Sequence, residues 1–216
     1  MRIALDAMGG DRAPAEIVKG ALLAAKGLPY IEQIILVGDE RAVAPHLAGE
    51  DLGDGRIIVR HASEMVGMDE KPAQAIRRKK DSSISRAVEM VRDGEADAMV
   101  SAGNTGAVVV AATLRLRNID NVARPAIAVV MPTRGRPFVL LDAGATVECD
   151  SSMLAQFAVM GSVYAKVVLH RESPVVGLLS IGGEDIKGND TTRQAHGLLS
   201  RANINFRGNI EGHDLF

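Results

Sequence analysis

Glycine and small polar side chains follow a short apolar run in the segment Ser101-Ala102-Gly103-Asn104-Thr105-Gly106. Glycine allows a tight turn and lets another group approach the backbone closely. A helix is predicted directly after this segment, and the free N–H groups at a helix N-terminus attract anions. The segment is therefore typical of a loop that binds a small charged ligand through its backbone.

Three further strand ends have a similar composition. They are Asp6-Ala7-Met8-Gly9-Gly10-Asp11, Asp142-Ala143-Gly144-Ala145-Thr146, and the segment from Gly182 to Asn189, which contains Lys187. Ligands of parallel α/β sheets bind beyond the carboxyl ends of the strands, so four such ends predict one binding edge. Any single loop of this kind is equally well explained as a tight turn. Asp6 and Asp142 can likewise be explained as helix caps or as residues that stabilise their loops by hydrogen bonds.

Several common kinds of site are missing from the sequence. It has neither the Gly-x-x-x-x-Gly-Lys-Ser/Thr motif of a P-loop ATPase nor the Gly-x-Gly-x-x-Gly motif of a nicotinamide enzyme after the first strand. The five histidines lack the paired spacing of metal ligands, and no Gly-x-Ser-x-Gly elbow marks a serine hydrolase. The net charge of −2 and the absence of tryptophan argue against nucleic-acid binding. The single cysteine, Cys149, excludes an internal disulfide and suits a reducing cytoplasm.

A run of four cations, Arg77, Arg78, Lys79 and Lys80, stands within the segment DEKPAQAIRRKKDSS. One interpretation is a solvated helix end whose positive charges suit the negative end of the helix dipole. The other is a contact surface for an acidic substrate or an acidic protein partner.

Short apolar runs alternate with longer segments of helical pattern. Strands are predicted at Arg2–Leu5, Gln33–Val37, Arg56–Arg60, Ala96–Ser101, Ile127–Met131, Phe138–Asp142, Val175–Ser180 and Ile204–Arg207. Helices are predicted at Ala13–Lys26, Arg41–Leu47, Lys71–Val91, Ala107–Arg117, Ser151–Val168 and Thr191–Arg201. This alternation predicts one α/β region over residues 1–216, with a mainly parallel sheet and helices on both faces. The turn PTRGRP predicts an antiparallel excursion, part of a small subdomain around residues 119–150.

The N-terminal residues do not have the pattern of a signal peptide. The apolar stretch within the first residues, MRIALDAMGGD, is too short for a signal peptide. No apolar run in the sequence reaches the roughly 18 residues of a membrane span. The chain stops at Phe216 soon after a predicted strand, so we expect a fold without its closing helix.

Seven segments occur in order along nearly all 216 residues: DAMGGD, DEKPAQAIRRKKDSS, SAGNTGA, RPAIA, LLDAGA, QFAVMGSVYA and GGEDIKGND. Together they resemble the bacterial phosphate acyltransferases of phospholipid synthesis, which move an acyl group from acyl carrier protein to inorganic phosphate. The resemblance implies a three-layer α/β/α fold like those of the isocitrate and isopropylmalate dehydrogenases and phosphotransacetylase. It also implies a cytoplasmic homodimer, loose contact with the inner membrane face, and a downstream glycerol-3-phosphate acyltransferase as partner.

The chain departs from that family in two places. The family usually has Asn where this chain has Thr146, which keeps a hydroxyl but loses an amide. The family chain also continues for roughly another third of its length, including a glycine-rich Asp-Gly-Phe-Thr-Gly-Asn segment.

The resemblance implies that phosphate is the nucleophile, so neither a catalytic Ser or Cys nor a metal or cofactor is required. On this basis we assign phosphate binding to a set of loop residues: Ser101, Gly103, Asn104, Thr105, Gly106, Gly9, Gly10 and Asp11. Lys187, Asn189 and Asn104 are the expected catalytic residues, with Lys187 as the cation for phosphate or the thioester oxygen. Asp6 and Asp142 are expected to orient these donors. The run from Arg77 to Lys80 is expected to contact the acidic carrier protein.

Two other functions remain open at the level of sequence. A nicotinamide-linked dehydrogenase could share the same broad fold. A chain that lacks the last third of the family's length could also be an inactive folding or dimerisation module.

Overall fold

The strands and helices of the first half of the chain form a parallel α/β unit. The computed structural model describes residues 1–53, 55–146, 148–185 and 187–215, and the chain divides into two compact units, Met1–Arg117 and Asn118–Phe216. The elements of the first unit are β1 (Arg2–Asp6), α1 (Ala15–Gly27), β2 (Gln33–Gly38), α2 (Glu40–Leu47), β3 (Ile57–His61), α3 (Pro72–Arg78), α4 (Ser83–Arg92), β4 (Ala98–Val100) and α5 (Thr105–Leu116). The four strands are all parallel, in the order β3-β2-β1-β4.

Successive residues of the central strands supply two separate cores, because side chains alternate between the faces of a sheet. Ile34 and Leu36 pack in one cluster with Val18 of α1. Ile35 and Val37, from the other face of β2, pack in a second cluster that includes Ala87 and Met90 of α4. The helices therefore cover both faces of the sheet, as predicted for an α/β fold with a mainly parallel sheet.

The single helix predicted at Lys71–Val91 is wrong, since the structure has two helices there, α3 and α4. The chain leaves the helical conformation at Lys79 (φ −93°, ψ 75°), and Ser82 starts α4 by accepting a hydrogen bond from the Ser85 N–H. A serine in an extended conformation that accepts from the first turn is a strong N-cap. The polar pair Asp81-Ser82 therefore interrupts a helical pattern that looks continuous by apolar spacing alone.

The described residues of the second unit form two two-stranded sheets. Its elements are β5 (Val129–Met131), β6 (Phe138–Leu140), α6 (Ser151–Val168), β7 (Val175–Leu179), α7 (Asp190–Leu199), β8 (Asn205–Ile210) and a short 3-10 helix (Gly212–Leu215). β5 and β6 are antiparallel, which confirms the excursion predicted from the PTRGRP turn, and β7 and β8 are parallel. Leu178, Ala195 and Leu199 form the buried core between β7 and α7.

None of the helices in the part of the chain that the structure describes is long and apolar enough to cross a bilayer. Phe216, where the chain stops, lies outside the described residues.

Candidate functional site

The ends of β1 and β4 lie side by side and are joined through two side chains. The strands pair in parallel as far as Leu5 and Val100. The carboxyl group of Asp6, which is completely buried, accepts a hydrogen bond from Ser101 Oγ at 2.6 Å and another from the Met8 N–H at 3.1 Å. Ser101 Oγ in turn accepts from the Gly103 N–H at 3.0 Å. The two loops that sequence analysis singled out are thus tied into one structure.

Glycine is required in both loops because their backbones touch. A Cβ on Gly9 would lie 2.5 Å from Asp6 Oδ2 and 2.7 Å from the Gly103 nitrogen, both far inside van der Waals contact. Gly10 has a φ of +99°, and a Cβ there would lie 3.2 Å from the Ala102 carbonyl oxygen. The glycines therefore serve first to pack the β1–α1 loop against the β4–α5 loop.

Asn104 starts α5 and also holds a third loop. Its Oδ1 accepts a hydrogen bond from the Ala107 N–H at 3.0 Å, which is the usual action of an N-cap. Its Nδ2 donates to the carbonyl oxygens of Gly67 (3.1 Å), Met68 (3.3 Å) and Glu70 (3.1 Å). The residue is 6% exposed. Because an amide has only two N–H groups to share among these three acceptors, Asn104 acts in this structure as a positioning residue.

The first turn of α5 offers the free donors of this site. The backbone N–H groups of Thr105 and Gly106 donate no hydrogen bond within the described residues, whereas that of Ala107 donates to Asn104 Oδ1. Thr105 is exposed, and its hydroxyl likewise has no partner in the part of the chain that is described. Gly106 lies against α3, since a Cβ there would come within 2.6 Å of Pro72 Cγ. These donors and the positive end of the helix dipole suit an anion.

The run of four cations separates into one buttressing residue and three exposed ones. Lys79 Nζ donates to the Met65 carbonyl at 2.8 Å and to Glu70 Oε1 at 2.5 Å. The hydrogen bond from Lys79, followed by that from the Gly67 N–H, lowers the pKa of Glu70. Arg77, Arg78 and Lys80 are exposed, with no partner for their charges in the described residues.

In the second unit, Asp142 holds the loop that follows β6. Its Oδ1 accepts from the N–H groups of Ile127 (2.8 Å) and Ala145 (3.2 Å), and its Oδ2 accepts from that of Thr146 (2.8 Å). The contact with Thr146 is made by the backbone, so it does not depend on whether the residue is Thr or Asn. Nearby, burial and then the Asp142 charge raise the pKa of the Cys149 thiol, which opposes its ionisation to a nucleophile.

Lys187 and Asn189 follow β7 in the same unit. Asn189 caps α7 by accepting from the Thr192 N–H at 2.9 Å. Lys187 is exposed, and its ammonium group has no partner among the described residues. Its stem lies against Gly182, where an added Cβ would come within 2.9 Å of Lys187 Cγ. The loop therefore exposes the Lys187 ammonium group, while the aliphatic part of the Lys187 side chain packs against Gly182.

The predicted residues thus fall into two groups by unit. Those of the β1–α1 and β4–α5 loops all belong to the first unit: Asp6, Gly9, Gly10, Asp11, Ser101, Gly103, Asn104, Thr105 and Gly106. The structure brings Asp6 and Gly9 against Ser101 and Gly103. Asp142, Lys187 and Asn189 belong to the second unit. The contact of Asn104 with residues 67–70 could not be predicted from the sequence, because it is made by backbone carbonyl groups that every residue possesses. The described residues contain no group of three or more His, Cys, Asp or Glu side chains placed to hold a metal ion.

The fold is that of phosphotransacylases. The structure matches EutD phosphotransacetylase from Staphylococcus aureus with a TM-score of 0.65 and 20% identity, over 98% of this chain and 68% of that one. It matches a branched-chain phosphotransacylase from Enterococcus faecalis V583 with a TM-score of 0.63 and 17% identity, over 98% of this chain and 67% of that one.

Sequence similarity gives the family. Residues 1–216 match the family described as fatty acid synthesis protein, and the chain belongs to it. It is 55% identical over 216 residues to the phosphate acyltransferase of Pelotomaculum thermopropionicum and 51% identical over 216 residues to that of Desulforamulus reducens. All of this chain is matched, and it spans 62% and 64% of the length of these two relatives.

Proposed function

We propose that this chain transfers an acyl group from an acyl thioester to inorganic phosphate and so forms an acyl phosphate. The observation that carries the proposal is the first turn of α5, where the N–H groups of Thr105 and Gly106 and the Thr105 hydroxyl have no partner among the described residues and can bind an anion. Relatives that share about half of the sequence are named phosphate acyltransferases, which supports phosphate as that anion.

In the proposed reaction a phosphate oxygen attacks the thioester carbonyl carbon. The new C–O bond forms, the C–S bond breaks, and the sulfur leaves as a thiolate that takes up a proton. Because phosphate is itself the nucleophile, the protein's task is to hold a dianion in line and to stabilise the oxyanion that develops. Positioning and preorganised donors are strong effects here, a single oxyanion donor being worth about 2.7–4 kcal/mol.

Each predicted site residue of the first unit has a place in this proposal. Thr105 and Gly106 supply direct donors, and Gly10 and Asp11 form the adjoining wall. Ser101, Gly103 and Gly9 fix the backbone behind them, and Asn104 fixes the start of the helix. A carboxylate would normally repel phosphate, but both oxygens of Asp6 already accept hydrogen bonds, so its charge is partly offset.

Lys187 is the proposed cation of the second unit, acting on the phosphate or on the thioester oxygen. Its ammonium group has no partner in the part of the chain that the structure describes, and its loop is fixed by the Lys187 N–H to Glu184 carbonyl bond at 2.9 Å. Asn189 acts beside it through its Nδ2, which has no partner among the described residues, since the cap on α7 uses the Oδ1. Asp142 acts by keeping the 142–146 loop in shape.

We further propose acyl carrier protein as the acyl donor and phospholipid synthesis as the use of the product. Three exposed cations, Arg77, Arg78 and Lys80, are suited to an acidic carrier. A cytoplasmic homodimer, peripheral contact with the inner membrane face and a partnership with a glycerol-3-phosphate acyltransferase remain predictions from the family resemblance.

The test is the release of acyl phosphate from acyl carrier protein and inorganic phosphate, detected as a hydroxamate after trapping with hydroxylamine. We expect product to depend on both substrates and to fall at least about a hundredfold in Lys187→Ala with the fold intact. The P. thermopropionicum relative, at its full length, is the positive control. If that relative is active and this chain is not, the proposal fails for this chain, and near-normal turnover of Lys187→Ala removes Lys187 from the mechanism.

A further inference from the structure

Two methionines between β3 and α3 project into solvent from a well-fixed backbone. We call residues 64–71 the methionine loop. Met65 is 47% exposed and Met68 is 56% exposed, whereas Val66 between them is only 4% exposed and packs in a cluster with Ile76 and Ala107. The loop therefore has one apolar side chain anchored in the core and two that are directed outward.

The backbone of the methionine loop is held by side chains from other elements. Nδ2 of Asn104 binds three of its carbonyl groups, and Lys79 Nζ binds a fourth, that of Met65, at 2.8 Å. Glu70 Oε1 accepts from the Gly67 N–H at 2.7 Å. A loop fixed at this many points cannot turn its methionines inward without breaking hydrogen bonds. The backbone positions of Met65 and Met68 are therefore fixed, and a preorganised backbone of this kind suits a binding surface.

The position of the loop connects it to the proposed active site. The Met68 carbonyl oxygen is 3.3 Å from the side chain that caps α5, so the loop adjoins the helix end where we place phosphate. Through Lys79 it also adjoins the exposed cations Arg77, Arg78 and Lys80. An acyl thioester delivered by an acidic carrier would meet the same three features: cations for the carrier, an anion site for the nucleophile, and an apolar surface beside them.

We propose that Met65 and Met68 bind the alkyl chain of the acyl donor. This inference rests on the proposed function, because it assigns the apolar part of the substrate to that same site. Methionine is unbranched and polarizable, so a pair of methionines can adapt to a flexible linear chain. A surface of this kind favours longer acyl groups through added contacts and does not select one length sharply.

Kinetics give the first test, using the double variant Met65→Gln/Met68→Gln, which keeps side-chain length and removes apolar character. We expect the apparent KM for a long-chain acyl donor to rise about tenfold, with no change in the KM for phosphate or for an acetyl donor. Leu23→Gln on α1 is the matched control, since Leu23 is 64% exposed and lies on another element. An unchanged KM for the long-chain donor, or an equal rise with Leu23→Gln, would overturn the inference.

Binding gives a second test that needs no turnover. We would label the methionine methyl groups with carbon-13 and titrate octanoyl-N-acetylcysteamine, with acetyl-N-acetylcysteamine as the short-chain control. The Met65 and Met68 methyl signals should shift with the octanoyl thioester only, while Met1, which is 48% exposed, should not shift.

The two tests separate the inference from the function on which it rests. Shifts at Met65 and Met68 without acyl-phosphate formation would leave the alkyl site standing and reject the reaction. Acyl-phosphate formation without these shifts would reject the alkyl site alone. Equal shifts at Met1, or shifts with both thioesters, would show general adhesion and would also reject it.

Discussion

Ser101 Oγ donates a 2.6 Å hydrogen bond to Asp6 Oδ2 and thereby joins the ends of β1 and β4. The two residues are 95 positions apart in the chain, and the carboxyl group is fully buried. A buried carboxyl group costs free energy unless its oxygens find donors. The bond between Asp6 and Ser101 is therefore central both to the stability of the first unit and to the shape of the proposed phosphate site.

Replacing Ser101 by Ala should lower the free energy of unfolding by about 1–3 kcal/mol, because a buried acceptor then loses a partner. It should also raise the KM for phosphate, since the Gly103 N–H loses its acceptor and the loop before α5 is no longer fixed. Urea unfolding and initial rates measure the two effects. Ser101→Thr keeps the hydroxyl and is the control. A stable Ser101→Ala protein with normal phosphate KM would contradict this role.

Replacing Gly9 by Ala should destabilise the protein by about 1–3 kcal/mol, because the new methyl group would overlap Asp6 Oδ2 and the Gly103 backbone. Gly20→Ala in α1 is a matched control, since nothing lies within 4 Å of a Cβ at that position. There the change should stabilise the helix by up to about 1 kcal/mol. Thermal unfolding of both variants checks the pair, and equal effects would show that loop packing does not explain Gly9.

The local features of the site could be predicted from sequence, and the long-range ones could not. Glycines and small polar residues at strand ends marked the loops around Gly9 and Gly103, because glycine permits a tight turn and the close approach of another backbone. The β1–β4 adjacency that unites them is a matter of topology, which no local pattern contains. The amide of Asn104 likewise looked like a free donor, because its three carbonyl partners are backbone groups 34 to 37 positions away.

The same limit explains the error over residues 71–91. Apolar spacing is continuous there, and what ends the first helix is a set of polar contacts. Asp81 is held by Ser63, 18 positions earlier, and Ser82 caps the next helix. A helical pattern predicts which face of a helix packs against the core. Where the helix ends depends on hydrogen-bond partners elsewhere in the chain.

Replacing Asn104 by Asp should keep the cap on α5 but destabilise the protein by about 2 kcal/mol or more. A carboxylate can still accept from the Ala107 N–H, yet it would face three carbonyl oxygens without a donor. Asn189→Asp is the matched control, because Asn189 is an exposed cap that uses only its oxygen, so near-neutral stability is expected. Hydrogen exchange should show faster exchange in residues 67–70 of the Asn104 variant alone, and unchanged exchange there would contradict the positioning role.

Charge reversal at Arg77 and Arg78 should raise the apparent KM for acyl carrier protein by about tenfold at low salt, with the KM for phosphate unchanged. Both side chains are exposed, so stability should hardly change. Lys79→Met, by contrast, should lower stability, because it removes the bonds to Glu70 and the Met65 carbonyl. The carrier effect should weaken as salt is raised, since exposed charges are screened. If the KM for carrier protein does not change with the charge of Arg77 and Arg78 or with salt, the four cations are explained as a solvated helix end.

Acid should weaken the contacts of the Asp81 carboxylate with Ser63, which lies just before the methionine loop, and with Arg86. The hydrogen bonds from the Ser63 side chain and backbone, and then that from Arg86, lower the pKa of Asp81 from 3.8 to about 2. A carboxyl group whose pKa is lower in the folded state stabilises the fold above its unfolded pKa, and this contribution is lost as the pH falls. Between pH 5 and pH 2, we expect the free energy of unfolding to fall by about 1 kcal/mol more in wild type than in Asp81→Asn. This figure allows for solvent screening, since the Asp81 side chain is 32% exposed. Urea unfolding at each pH measures this difference, with Asp93→Asn at an exposed surface pair as the control. Parallel stability curves for wild type and Asp81→Asn across this range would show that Asp81 does not carry the effect.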